Sequence, residues 1–526
     1  MEGTVECRIN KLPDSALLHM LCFLPIKAAA RTSILSKRWR RLWTAIPSLA
    51  FDEKDFPSRQ RSGFSLDGTE STDLFTIVNQ VLLNHDRFLR SLCLRLTLRN
   101  DSDRRVLGSW IRHAIVVNQV EELSLQISYS DRSSGLYELP LHLCDCRSIC
   151  HLKLSGSHFC SRPGREVVLS SLQSLSLHGV HSTVADFPRM LDACPQLEKL
   201  VIHNCSKDVT EDVQISATRL LSLSIKGSVL GKIKMIAPSL QFIDYDCHDS
   251  PSDEDGGLRK VLVDDTSRIR SIAACACIFR VLGRHGDGVG SPKLDELKVI
   301  VLRPCSWILR VESLLSLLRI SPSLRSLCIE DFRNLSHPFT DAAYESAGLV
   351  LMHLQNLNIR CFSGNEEEQK LVKHILKAAS SLEYAFYKAN KGVEHPQFND
   401  LEVVAIHPCS RELGLEYVAS LLGNCPVLRS LYIEKCSSLS YPNDDAVYES
   451  VVRVIQNLRR MSVESFNGTQ SEMKLVKYVL KGTPSLELVT IDVASMDVLA
   501  LSVINELLHL QKMYSQLDLK LLCTRK

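Results

Sequence analysis

The phrase Leu-x-x-Leu-x-Leu, with any aliphatic residue standing in for leucine, recurs along this chain and restricts its fold more than any other feature. The clearest copies are Leu197-x-x-Leu200-x-Ile202-x-x-Cys205 and Leu428-x-x-Leu431-x-Ile433-x-x-Cys436. Others begin at Leu89, Val120, Ile149, Leu172, Leu220, Leu240, Leu294, Leu324, Leu354, Leu382, Leu401, Leu458 and Leu486, with a degenerate copy at Ile269. Their spacing falls between 19 and 31 residues. In each phrase the last two aliphatics alternate around one residue, the period of a strand buried on one face. A unit this short cannot bury its own apolar side, so neighbours must stack, aligning their strands into a parallel sheet. Helices or irregular turns then return along the outside, and 184–194 and 311–320 read as such returns.

The spacing is that of leucine-rich repeats. The expected class is therefore α/β, a solenoid with a parallel β-sheet inside and helices and turns outside. Cys205 and Cys436 take the repeat position that wants a small buried polar group or thiol. The mid-strand residues Cys93, Ser124, Lys153, Ser176, Val201, Ser224, Asp244 and Lys298 should face the open side of the sheet. Two gaps rich in Gly, Pro, Ser and charge, 250–257 and 283–292, read as exposed loops.

The C-terminal half is duplicated. At an offset of 104 residues, Cys305–Tyr384 aligns without a gap on Cys409–Leu488, with 36 of 80 positions identical. PSLRSLCIE answers PVLRSLYIE, and Lys370-Leu371-Val372-Lys373 answers Lys474-Leu475-Val476-Lys477. Each copy reads as strand, Phe-x-Gly turn, helix, strand. In the second, Phe466-Asn467-Gly468 makes the turn. Leu475, Val476, Val479 and Leu480 form one helical stripe, and Leu486–Ile491 the closing strand.

The N-terminus has a different character. Residues 1–50 hold eight Lys/Arg against three Asp/Glu, in a chain whose net charge is only +2. Three short helices are predicted here. Leu12-Pro13-Asp14 makes an entry turn, with Asp14 or Ser15 placed to cap. Leu17, Leu18, Leu21 and Leu24 form one stripe that Pro25 stops. A second helix is expected over Lys27–Leu35. A third, capped by Ser36, carries Trp39, Leu42 and Trp43 on one face and ends at Pro47. Helices this short cannot bury two tryptophans and so many leucines among themselves. Some of that surface is expected to lie against another protein.

The stretch INKLPDSALLHMLCFLPIKAAARTSILSKRWRRLW resembles the F-box of plant F-box proteins, over about 35 residues without a gap. The opening Leu-Pro-Asp, the Phe-Leu-Pro junction and the Ser-Lys-Arg-Trp-Arg…Leu-Trp close carry the resemblance. The unit LRRMSVESFNGTQSEMKLVKYVLKGTPSLELVTI resembles the FBD domain that follows the repeats in many of those proteins, and the first copy is FBD-like but more degenerate. The domains expected are F-box (5–50), linker (51–73) and leucine-rich repeats (74–300). The first duplicated copy (301–392), the second copy with the FBD (393–500) and a tail (501–526) follow.

The resemblance implies a non-catalytic adaptor of an SCF-type cullin ubiquitin ligase. Its F-box would dock a Skp-type linker, and through it a cullin, while the repeats hold a protein substrate. Leu12, Pro13, Leu18, Leu21, Leu24 and Pro25 are the implied linker contacts. Trp39 and Trp43 either join that contact or brace the helices beneath it. The alternative is an F-box interaction scaffold outside any ligase.

Other chemistry finds little support. Cys144, Cys146, Cys150, His151, His158 and Cys160 lie close together without a Cys-x-x-Cys pair, and Cys150 and His151 point to opposite faces if they share a strand. GSVLGKI (227–233) is one residue short of a phosphate loop and lacks its Ser/Thr. No Gly-x-Ser-x-Gly or His-Glu-x-x-His occurs. Lys37, Arg38, Arg40 and Arg41 could face nucleic acid, but a solvated helix face explains them. With two basic residues among eight mid-strand positions, a buried polyphosphate is disfavoured. No cofactor, metal, nucleic acid or membrane partner is expected, and the chain is placed in the nucleus and/or cytoplasm. The four Asn-x-Ser/Thr sequons and the nineteen cysteines, expected to be reduced, then carry no functional weight.

Overall fold

The computed structural model describes residue 9 and residues 12–56, 74–83, 85–246, 261–275, 294–303, 311–330, 349–387 and 402–522, with shorter gaps inside the longer ranges. The chain forms two compact units, residues 1–240 with 256–265 and residues 241–255 with 266–526.

The first unit opens with three short helices, α1 (Asp14–Leu21), α2 (Ile26–Arg31) and α3 (Trp39–Leu42). Neither Asp14 nor Ser15 caps α1. Pro13 takes the cap position with extended backbone, and Asp14 sits in the first turn, where its carboxylate suits the helix dipole. The second helix is shorter than expected and ends in a 3-10 turn, Thr32–Ile34. Leu17, Leu21, Ala29, Trp39, Leu42 and Ile46 close the core of this module, with Ile9, Leu18 and Trp43 packed against it.

Seven parallel strands follow: Ser48–Asp52, Ser91–Leu98, Glu122–Tyr129, His151–Ser155, Ser174–His178, Lys199–His203 and Ser222–Lys226. Five of them carry the recurrent phrase as burial alternation, as in Ser174–His178, where Leu175 and Leu177 are buried between half-exposed neighbours. On the back lie α4 (Leu74–Leu83), α5 (Asp101–Val116) and α6 (Asp186–Asp192). Asn100 caps α5 by accepting from the Asp103 amide at 2.9 Å. Two small parallel sheets were not legible in the sequence. Four very short strands, Tyr137–Glu138, Ser157–Phe159, His181–Ser182 and Ser206–Lys207, make one. Val213–Ser216, Ile233–Ile236 and Val261–Val263 make the other.

The second unit continues the pattern with eleven parallel strands, from Phe242–Asp246 to Asp518–Leu522. The degenerate copy at Ile269 is a full member, contributing Ser271–Cys275. The duplication holds to the residue in the helices and in the first residue of each strand. Helices α7 (Val311–Arg319) and α8 (Glu366–Ala378) return 104 positions later as α9 (Leu415–Gly423) and α11 (Gln470–Gly482), and the strands Ser326–Ile329 and Asn356–Ile359 as Ser430–Ile433 and Arg460–Phe466. Between these last two lies α10 (Asp445–Val454).

Several expectations change. The sheet begins at Ser48, so 48–50 belong to its first strand rather than to the helical module, and the segment after Asp52 joins two repeat strands. Residues 57–73 of the expected linker lie outside the described residues. Within the expected tail, α12 (Leu501–Met513) returns the chain to Asp518–Leu522, which pairs with Leu488–Val493. Leu488–Val493 thus closes the second copy without being the last strand of the sheet. Lys298 precedes its strand, and Val301 takes the mid-strand place. Cys150 likewise precedes the strand that His151 begins. The loops at 250–257 and 283–292 lie outside the described residues.

Candidate functional site

The chain leaves α3 through Pro47 and enters the sheet at once. The Pro47 carbonyl accepts from the amides of Arg90 (2.7 Å) and Ser91 (3.1 Å). The buried His85 ring places Nε2 3.1 Å from the Ile46 carbonyl. Lys27 of α2 donates to the Asp55 carbonyl at 3.0 Å and lies over the Phe56 ring. Beyond the first strand, Glu53 accepts from the Thr97 amide at 2.7 Å. The helical module is thus fixed to the repeat sheet by backbone pairing and by polar contacts, of which the His85–Ile46 contact is buried.

Within the module the eight candidate residues separate into three groups. Leu21 (1% exposed) and Trp39 (4%) lie in the core, so Trp39 braces the helices and neither offers a surface. Leu18 and Trp43 are half-buried. Trp43 lines a cleft of about 590 Å³ together with Ile26, Ile34 and Phe56, and with Ile77 and Val81 of α4. Leu12, Pro13, Leu24 and Pro25 are exposed.

Sequence reasoning missed the largest exposed apolar groups: Phe23 (76% exposed), Ile34 (86%), Leu35 (62%) and, at the end of α1, Met20. The first three lie in the turns after α1 and α2, where helical periodicity gives no direction. Phe23 is held edge-on to His19, centroids 5.1 Å apart. A module this small that exposes a phenylalanine, a methionine and four branched aliphatics has the composition of a protein-docking surface.

Arg38, one of the four basic residues considered for nucleic acid, is committed within the module. Its Nε donates to Asp14 at 2.7 Å and a terminal nitrogen to the Leu12 carbonyl at 2.6 Å. This clamps the entry turn of α1 onto α3 and sets Leu12 and Pro13 at the surface.

On the open side of the first unit's sheet, Ala50, Cys93, Ser124, Lys153, Ser176, Val201 and Ser224 form one continuous row, as expected for all but the added Ala50. In the second unit Asp244, Ala273 and Val301 begin the corresponding row, and Arg303 reaches back to pair with Asp244. With Lys298 outside the row, Lys153 is the one basic residue among the eight mid-strand positions once Val301 replaces it.

The repeat-position cysteines are structural. Cys205 is buried, its thiol directed at the carbonyls of Leu177 and His203. Burial pushes the Cys436 thiol up to about 12, beside the Tyr441 hydroxyl. At neutral pH such a thiol is neither nucleophile nor ready ligand. Among the described residues no group of three or more His, Cys, Asp or Glu could hold a metal ion, and no described helix is long and apolar enough to cross a membrane.

Comparison with known families matches three segments. The F-box domain matches residues 9–49, the LRR repeats of "FBD-associated F-box protein At5g56370" match 107–259, and FBD matches 349–385. This chain is a plant F-box/leucine-rich-repeat protein with an FBD domain. The putative F-box/FBD/LRR-repeat protein At4g00315 of Arabidopsis thaliana is 29% identical, over 61% of this chain and 77% of that protein. The F-box/FBD/LRR-repeat protein At5g56420 of the same plant is 26% identical, over 72% of this chain and 90% of that one. The FBD match falls on the first duplicated copy, not on the second, whose sequence carries the fuller resemblance. The two copies share the strand–helix–strand plan, Asn356–Ile359, α8 and Tyr384–Tyr387 in the first, so the plan alone could not tell them apart. Proteins of the F-box/LRR family are generally non-catalytic adaptors.

Proposed function

We propose that this F-box protein is the substrate-recognition subunit of an SCF-type cullin ubiquitin ligase, acting in the nucleus and/or cytoplasm. Its F-box docks a Skp-type linker, which holds the cullin, and its repeats capture a protein target. The observation that carries this reading is the exposed apolar surface at Phe23, Leu24, Ile34 and Leu35, on a module fixed to the repeat sheet. Such a connection lets the adaptor act by proximity, holding a target lysine at a set place relative to the rest of the assembly. The ubiquitin-transfer chemistry belongs to other subunits.

Affinity purification of the full chain and of a Phe23→Asp/Ile34→Asp variant tests it. Linker, cullin and ubiquitinated partners should accompany the natural chain and be lost with the variant. Absence of linker and cullin from the natural chain would sink the ligase reading. Linker without cullin or ubiquitinated partners would support the scaffold alternative instead.

A further inference from the structure

The mid-strand row of the first unit is small and nearly neutral, but the rows on either side of it are not. On the last four strands, His151–Ser155 to Ser222–Lys226, twelve side chains stand on the open side in three aligned rows. Three are lysines (Lys153, Lys199 and Lys226) and three are histidines (His151, His178 and His203). Serines fill five of the other six places, and none of the twelve is a carboxylate. The earlier strands of the same face differ, since there Arg95 pairs with Asp52 at 3.2 Å.

Along the neighbouring rim charges come in pairs, Arg90 with Glu121 at 3.2 Å and Arg219 with Glu198 at 3.6 Å. Among the described residues Lys153 and Lys199 have no carboxylate partner, although both are exposed. The histidines are gathered rather than scattered: the rings of His178 and His203 meet at right angles with centroids 4.9 Å apart, and His203 Nε2 lies 2.9 Å from Ser224 Oγ. His178 is held below the usual imidazole range by burial, and further by His203 and Lys153. The face thus carries like charges that repel one another and hydroxyls able to donate.

We propose that this four-strand face binds an acidic, extended segment of the target protein, whose successive carboxylates meet Lys153, Lys199 and the imidazoles while serine hydroxyls donate between them. The proposal rests on the reading of this chain as a receptor for a protein target. A spread of carboxylates fits better than a single phosphate. Strands lie about 4.8 Å apart and the two residues sit two strands and two positions apart, so the Lys153 and Lys199 backbones stand roughly 12 Å from each other, a span that an extended peptide covers in about four residues. None of the twelve positions holds arginine, the residue whose fork matches phosphate.

The test uses the full chain with three fluorescent peptides of equal length. One is rich in Glu and Asp, one has the matching Gln and Asn, and one is neutral with a single phosphoserine. The acidic peptide should bind, weaken at least tenfold between about 50 and 300 mM salt, and lose roughly tenfold or more with Lys153→Glu/Lys199→Glu. Both sites are exposed, so the melting temperature of the variant should stay unchanged; if it does not fold, the salt series on the natural chain decides. Equal binding of the neutral peptide, preference for the phosphopeptide, or indifference to salt or to the charge reversal overturns the proposal. Linker capture is measured on the same samples. Linker recovery without acidic-peptide binding sinks this proposal alone, and acidic-peptide binding without linker recovery sinks the ligase reading alone.

Discussion

His85 donates from Nε2 to the carbonyl oxygen of Ile46, a contact of 3.1 Å between residues 39 positions apart that is buried from solvent. It ties the last core residue of the F-box to the segment leading into the second repeat strand. Replacing His85 by Leu leaves the Ile46 carbonyl buried without that donor, at a cost of about 1–3 kcal/mol. Hydrogen exchange should therefore speed up over residues 12–46, with the strands from Glu122 to Lys226 unaffected. Equal acceleration throughout would mean that F-box and repeats unfold as one body and that His85 is no local rivet.

Core and surface of the F-box should separate by mutation. Leu21→Ala and Trp39→Ala remove side chains from its closed core and should destabilise it by about 2–5 kcal/mol. Phe23→Asp and Ile34→Asp change groups that face solvent, and the thermal melt should stay where it is while linker binding is lost. A large drop in melting temperature for Phe23→Asp would show that Phe23 is packed, not presented.

Much of this was legible in the sequence, for a physical reason. The phrase Leu197-x-x-Leu200-x-Ile202 names three residues that are all buried, because a strand covered on one face must alternate. The 104-residue duplication was legible as a repeated strand, turn, helix and strand, and the helices of the two copies begin and end 104 positions apart because each copy solves the same packing problem. Ser48–Asp52 is harder to read because Ile46-x-x-Leu49-x-Phe51 ends the phrase on an aromatic residue instead of an aliphatic one. The strand after α12 lacks the full phrase, since Gln516 stands in the leading place, although Leu517, Leu519 and Leu521 alternate. In the F-box, Leu21 and Phe23 are equally apolar two positions apart. Only the packing of α3 across α1 shows that one is core and the other surface.

Thiol chemistry offers an independent map of the docking face. Cys22 is exposed between Leu21 and Phe23, whereas Cys194, Cys425 and Cys436 are buried and their thiols pushed up to about 12 by that burial. Brief alkylation of the folded chain, read by peptide mass spectrometry, should modify Cys22 and spare those three. Adding the linker should protect Cys22. Undiminished labelling in the presence of captured linker would place the contact elsewhere on the module.

Acidification should act on the proposed target-binding face in two opposite senses. His178 has its folded pKa below the unfolded value, so as pH falls the unfolded chain takes up the proton first. Its contribution to stability is therefore whole above the usual imidazole range and declines below about 6.5, until the folded ring protonates as well. The groups facing it are Lys153 and His151 on one neighbouring strand and Lys199 and His203 on the other, with Lys226 beyond, and none of them is a carboxylate. An acidic peptide reverses the balance by neutralising the same charges. Denaturant midpoints should fall between pH 7.5 and 5.5 by more in the natural chain than in His178→Gln, while affinity for the acidic peptide rises over that interval. An affinity that falls with acidification, under conditions where the peptide stays ionised, would mean that the histidines do not face the bound carboxylates.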